Sequence, residues 1–331
     1  MDPFNEATSE NKESNKISSK FNIGDEIKSN YILKNIFTYI HQKRKLETIK
    51  INKKLQEKIN LGIDDYKEFC SKYSSIIIEI TPIRNKSGKF INIPNKEEEQ
   101  YYHIYFDDNK EEIKRYSLKE NEKVSKIKIE ITNQIKSFND LFRYCDCIYS
   151  ICFPKFYRNN ITNMNGMFYF CSSLKKIDFT NFKTDNVKNM SNMFSGCSSL
   201  EELNLLNFNT SNVINMYNMF GNCTSLKKIN VSNFNTSNVT NMNYMFNCCT
   251  SLNELNVSNF KLNKIKKMGS MFYNCSNLKQ LELFNNNYFN NCAVDIMFVG
   301  ISREVKNKFR NENKNIGENA FEEDYFDYDN Y

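Results

Sequence analysis

Residues 207–234 read NFNTSNVINMYNMFGNCTSLKKINVSNF, and residues 233–260 read NFNTSNVTNMNYMFNCCTSLNELNVSNF. The apolar positions of the first string return in the second 26 residues later. The Met-Phe pair recurs at that one interval as Met167-Phe168, Met193-Phe194, Met219-Phe220, Met245-Phe246 and Met271-Phe272. Cys171, Cys197, Cys223, Cys249 and Cys275 keep the same step, as do Leu174, Leu200, Leu226, Leu252 and Leu278. A strict period of this size predicts repeated units that bury their apolar faces against their neighbours. It directs the search for function to a surface rather than to a catalytic pocket.

The pattern extends beyond its clearest copies. One period earlier stand Phe138, Leu141-Phe142, Cys145, Ile148, Ile151, Phe153 and Phe156; one period later stand Val294, Met297-Phe298 and Ile301. Glu304 then falls where a core Leu is due. The array is expected to run from about Gln134 to about Gly300, with atypical end units that act as caps.

Within one unit, Met216, Met219, Phe220 and Cys223 fall at i, i+3, i+4 and i+7, the stripe of a short amphipathic helix. Asn215 stands where a helix N-cap would, as do Asn163, Asn189 and Asn241 in their units. Leu226, Ile229 and Val231 then have the spacing of a strand with its apolar side inward, and the polar turn Asn235 to Asn238 leads back. The predicted fold class is an α/β repeat, a leucine-rich-repeat-like solenoid with short parallel strands, preceded by a small α+β N-terminal region.

The two quoted strings resemble the 26-residue repeats of the BspA-like leucine-rich-repeat surface-protein family. Spacing, Met-Phe pair, Cys-x-x-Leu and TSNV turn coincide over several copies, and the resemblance covers residues 134–300 or so. The buried Asn usual in leucine-rich repeats is replaced by Phe182, Phe208, Phe234 and Phe260, with Asn one residue earlier. The resemblance implies a binding scaffold of the kind found in exported adhesins and host-contact proteins.

Columns identical among copies are expected to be core, and variable columns to be candidate contacts. The variable, outward strand positions are Lys175, Lys176 and Asp178; Glu201, Glu202 and Asn204; Lys227, Lys228 and Asn230; Asn253, Glu254 and Asn256; and Lys279, Gln280 and Glu282. Ten of the 17 charged residues between Met164 and Leu283 lie there, which makes this the candidate protein-binding face. In register, Lys176, Glu202, Lys228 and Glu254 alternate in sign. Neighbours of this kind contribute about 0.2–1 kcal/mol each and help fix strand register, so a register ladder stands as the competing account. Alternating charges also argue against a nucleic-acid partner, which needs a coherent basic stripe. Lys261, Lys264, Lys266 and Lys267 cluster in one return loop and read as a solvated patch.

Composition adds exclusions. The net charge is +6 over 331 residues, and no run of 18 apolar residues exists to span a membrane. The stretch from Met1 to Gly24 is polar, without the apolar core of a secretory signal. Eleven Cys without such a signal indicate free thiols in a reducing compartment. The expected location is therefore cytoplasmic, with surface display by a nonclassical route left open. In-register Cys columns would sit about 4.8 Å apart, wider than the roughly 3.8 Å between the Cβ atoms of a disulfide, so the thiols are expected to act as small buried side chains. His41 and His103 are the only histidines, and no Gly-rich phosphate loop occurs. A Cys nucleophile needs a base, and the repeats hold no His. The expectation is a non-enzymatic chain with no catalytic residues, no metal and no cofactor.

Five segments are expected: a disordered tail at 1–26, a helical then β region at 27–106, a charged linker at 107–123, the repeats with their caps at 124–301, and a charged, acidic tail at 302–331. Short strands are expected at 76–80, 90–93, 101–106 and 124–131. Residues 30–60 are similar in length and apolar spacing to an F-box, which implies docking to a Skp-type adaptor of a cullin ubiquitin ligase. The leading expectation is a protein-binding scaffold with a partner of unknown identity. A ubiquitin-ligase substrate receptor and an exported adhesin stand as alternatives.

Overall fold

A computed structural model describes residues 74–93, 95–132, 135–284, 292–312 and 316–322. The chain divides into two compact units, Met1–Cys70 and Ser71–Tyr331, and the described residues belong to the second. The disordered tail expected at 1–26, and residues 27–73 of the region expected as helical then β, with the F-box resemblance at 30–60, lie outside the described residues.

Alternating Ile residues start the second unit. Strand β1 (Ile76–Pro82) and β5 (Ile127–Ile131) pair antiparallel with Ile78 opposite Ile129, and β3 (Tyr102–Phe106) lies on the other side of β5. The inward residues of all three are buried, the period-2 pattern of a half-buried sheet. β2 (Gly88–Lys89) and β4 (Ser117–Leu118) form a small antiparallel pair, β4 lying within the stretch expected as a charged linker. β6 (Ile148–Lys155) is antiparallel to β1 and parallel to β7 (Lys176–Asp178), giving the five-stranded order β3-β5-β1-β6-β7. Arg158 is fully buried beside this sheet. Its Nε donates to the Ser74 carbonyl at 2.5 Å and its Nη2 to that of Ile131 at 2.7 Å, and burial lowers its pKa to about 10.

Successive repeats lie side by side. Isolated parallel bridges join Ser137 to Asn163 and continue through Asn189, Asn215, Asn241 and Lys267 to Ala293. The Met, Phe and Cys columns are all buried. Phe168, Phe194, Phe220, Phe246, Phe272 and Phe298 stack with ring centroids 5.3–6.1 Å apart. The stack closes on Phe309 of helix α1 (Arg303–Glu312) and on Phe321, 5.2 and 5.1 Å from Phe298. Glu304, which broke the column in the sequence, thus opens a capping helix.

The expectation of an α/β repeat, a leucine-rich-repeat-like solenoid with a helix and a strand per unit, is overturned. Among the described residues α1 is the one α-helix, joined by short 3-10 turns at Lys96–Tyr101 and Glu318–Ala320, and none lies within the repeats. The remaining strands, β8 (Glu202–Leu203) with β9 (Lys228–Ile229) and β10 (Glu254–Asn256) with β11 (Gln280–Glu282), form separate two-stranded sheets. The units are otherwise turns and irregular backbone. The physical reason lies in φ. In the Met-Phe stretch of each unit two residues four apart are left-handed: Asn192 with Gly196, Asn218 with Asn222, Tyr244 with Cys248. Each such residue ends an α-helical run. The amides of Met190, Asn192 and Phe194 donate instead to Asn215, Tyr217 and Met219 of the next unit, at 2.8–3.0 Å. The Asn215 side chain still accepts from the amide two residues on, at 3.0 Å, but it starts a turn and not a helix.

Side chains complete the links between units. Buried Thr210 accepts from the Asn235 amide at 2.7 Å and donates to the Asn235 carbonyl at 3.1 Å; Thr184 and Thr236 repeat this with Asn209 and Lys261. Asn233, the residue before Phe234, donates to the Leu205 and Phe208 carbonyls at 3.0 and 2.9 Å, and Asn259 does the same to Val231 and Phe234. The displaced Asn noted in the sequence thus satisfies the backbone of the preceding unit.

Candidate functional site

The fifteen candidate residues are all exposed. Each group follows a buried Leu: its first member precedes the strand, its second begins it, and both are exposed. The third member of the first four groups ends or directly follows the strand: Asp178, Asn204, Asn230 and Asn256 accept from the amides of Thr180, Leu206, Ser232 and Ser258 at 2.8–3.1 Å. The Thr180 hydroxyl and amide hold the Asp178 carboxyl below its ordinary pKa. Their side-chain oxygens are therefore engaged in the local turn, and the Asn256 amide also donates to the Glu282 carboxylate.

The charges of the first two positions pair across units. Lys227 Nζ meets Glu201 Oε2 at 2.7 Å, and Lys228 Nζ meets Glu254 Oε1 at 3.6 Å. The hydrogen bond between the first pair lowers the pKa of Glu201 and raises that of Lys227. Both pairs are solvent-exposed, where water and salt screen such contacts and they add little to stability. Among the described residues Lys175, Lys176, Glu202 and Lys279 make no ion pair.

No strand pairing joins β7 to β8 or β9 to β10, and a groove follows each break. The larger, about 700 Å³, is lined by Lys175, Lys176, Asp178, Glu201, Glu202 and Asn204 on one side. Glu79 and Thr81 of β1, Tyr149, Ser150 and Cys152 of β6, and Lys126 close the other. Lys126 Nζ lies 3.7 Å from Glu79 Oε1. A second groove of about 440 Å³ gathers Asn230, Glu254, Asn256, Gln280 and Glu282. Lys279, Gln280 and Glu282 reach a third, of about 280 Å³, with Glu304 and Lys308 of α1. Lys227, Lys228 and Asn253 line none of these three grooves, so the structure divides the candidate residues among three places. The β1 and β6 contributions escaped the sequence reading because the pairing of β1 with β6 is long-range and leaves no local signal.

Among the described residues no group of three His, Cys, Asp or Glu side chains is placed to hold a metal ion. Nor is any helix long and apolar enough to cross a membrane. His103 contacts Glu112 at 3.0 Å and Thr132 at 3.4 Å. The ten cysteines described are free thiols.

Comparison with curated proteins and with solved structures gives no match. A sequence family does match, over residues 114–228 and again over 201–309, together more than half of the chain. The two matched stretches take in β4 to β11 and most of α1. The protein belongs to DUF285, described as Mycoplasma protein of unknown function.

Proposed function

We propose that the chain is a non-enzymatic protein-binding scaffold whose contact surface is the outward strand face, centred on the groove beside β7 and β8. The observation that carries this reading is the groove of about 700 Å³ in which unpaired Lys175, Lys176 and Glu202 stand together with Tyr149. Charged groups of both signs around an aromatic ring suit a folded protein surface, where complementary charges set orientation and association rate. The partner is unidentified. A reducing, cytoplasmic setting is supported by the buried free thiols.

The test is charge reversal of Glu201, Glu202 and Glu254 to Lys, with affinity capture by wild type and variant compared side by side. These side chains are exposed, so repulsion from Lys175, Lys176, Lys227 and Lys228 is screened and costs less than a core substitution. The folded variant is expected to lose the partner that wild type retains, while Lys264→Glu on the return loop retains it. Retention of the partner by the folded triple variant would reject the strand face.

A further inference from the structure

Three exposed aromatic side chains occupy backbone positions that do not suit them. Tyr144, Phe170 and Tyr244 have φ of 57°, 54° and 61° and are 55%, 38% and 37% exposed. A bulky residue at positive φ is strained. The copies of the repeat show what these positions otherwise carry. At the place of Tyr144 and Phe170 stand Gly196, Asn222, Asn274 and Gly300, with Cys248; at the place of Tyr244 stand Gly166, Asn192 and Asn218, with Asp140, Ser270 and Ile296. Glycine and Asn tolerate this conformation best. Each of the three rings therefore combines backbone strain with exposure of apolar surface, although Tyr144 and Phe170 contact each other at 5.7 Å and Tyr244 contacts Tyr217 at 5.7 Å. Such outliers concentrate where contact with a ligand compensates them.

The rings share one face with a distinct charge. It is formed by the Met-Phe turns, laid side by side through the bridge column from Ser137 to Ala293. Across residues 135–145, 161–171, 187–197, 213–223, 239–249, 265–275 and 292–301 these turns carry Lys136, Arg143, Lys188, Lys266 and Lys267 against Asp140 and Asp295. Arg143 pairs with Asp140 of its own turn at 3.5 Å, and its guanidinium lies 5.0 Å from the Tyr144 ring and 4.9 Å from that of Tyr169. The strand face, by contrast, alternates in sign from unit to unit, from Lys175 and Lys176 to Glu201 and Glu202 and on to Lys227 and Lys228.

We infer that the turn face binds an acidic linear polysaccharide, with sugar rings stacking on Tyr144, Phe170 and Tyr244 and acidic groups meeting Lys188, Lys266 and Lys267. Tyr144 and Lys266 stand five units apart, about 25 Å at the spacing of paired strands, which is a span for a polymer rather than a small molecule. Sugars offer an apolar ring face to aromatic residues and hydroxyls to amides such as Asn222 and Asn274, which share a column with Tyr144 and Phe170. Five cations and one acid over that length, Lys136, Arg143, Lys188, Lys266 and Lys267 with Asp140, are sparse against the roughly one charge per 1.7 Å of duplex DNA, and this favours a polysaccharide over a nucleic acid. The inference is independent of the strand-face reading.

Fluorescence anisotropy with labelled hyaluronan, chondroitin sulfate and polygalacturonate oligosaccharides tests it, with dextran as the neutral control. At least one acidic polysaccharide is expected to bind and dextran is not. Tyr144→Asn and Phe170→Asn are each expected to weaken binding about tenfold or more, as for stacked bases. Their melting temperatures should hold or rise, because Asn suits the left-handed backbone. Lys266→Gln combined with Lys267→Gln should flatten the salt dependence. The charge reversal of Glu201, Glu202 and Glu254 should leave this binding in place, which separates the two faces. The inference is overturned if none of the three acidic polysaccharides binds, or if the folded Asn variants bind them as tightly as wild type. Tighter binding to oligodeoxythymidylate or to phosphatidylserine vesicles would overturn it too.

Discussion

The thiol of Cys223 donates to the carbonyl oxygen of Phe194, 29 residues earlier, at 3.1 Å. Cys171, Cys197, Cys249 and Cys275 make the same bond to Phe142, Phe168, Phe220 and Phe246. The cysteine column is thus more than small apolar filling. It is a line of donors that satisfies carbonyls inside the core, and burial pushes the Cys223 and Cys275 thiols up to about 12.

A pH dependence follows. The folded-state pKa is raised above the unfolded value, about 8.5 for a free thiol. The ladder's contribution is therefore fully present below that value and is lost as pH rises toward about 12. Each buried thiol should lower stability by about 1.4 kcal/mol per pH unit in this window. Thermal melts between about pH 8 and about pH 11 are expected to fall steeply, and Cys223→Ala should reduce the slope by one proton. In the folded protein at neutral pH the five thiols should resist iodoacetamide.

Phe220 stacks between Phe194 and Phe246 at 5.7 and 5.3 Å. Phe220→Ala is expected to cost about 3–5 kcal/mol. Hydrogen exchange should show the loss first in the units on either side, since repeated units couple to their neighbours. A denaturant midpoint equal to that of wild type would place the column outside the core.

Thr210→Val keeps the volume but removes the group that both accepts from and donates to the Asn235 backbone. Two buried polar groups would lose their partner, at about 1–3 kcal/mol for an unsatisfied group. Thr210→Ser, which keeps the hydroxyl, should recover most of that in the same melts.

What the sequence made legible was burial. The Met-Phe, Cys and Leu columns, the strand positions at Lys176, Glu202, Lys228, Glu254 and Gln280, and the exposure of the charged face all match the structure. The helix did not survive, because Met216, Met219, Phe220 and Cys223 also fit consecutive tight turns that bury every third or fourth residue. A signal was present in Gly166, Gly196, Asn222 and Asn274, residues that suit left-handed backbone and recur at fixed places. The Tyr144, Phe170 and Tyr244 rings went unnoticed because their oddity is conformational and appears only once φ is known.

Asn222→Ala distinguishes the two backbones directly. In a helix Ala is the better residue by about 0.7 kcal/mol. At the observed φ of 57° it is the worse one, and the variant is expected to lose about 1 kcal/mol in chemical denaturation.

The strand-face account is tested most directly by exchanging the partners of one ion pair, Glu201→Lys together with Lys227→Glu. The exchange keeps opposite charges on the two positions now 2.7 Å apart, and their neutral sum, while inverting the pattern shown to a ligand. The measurement is the affinity of the exchanged protein for the partner captured by wild type, beside its melting temperature. The predicted result is a wild-type melt with binding weakened at least tenfold, about 1.4 kcal/mol. Unchanged affinity with an unchanged melt would show that these charges serve only register, and would contradict the assignment of binding to this face.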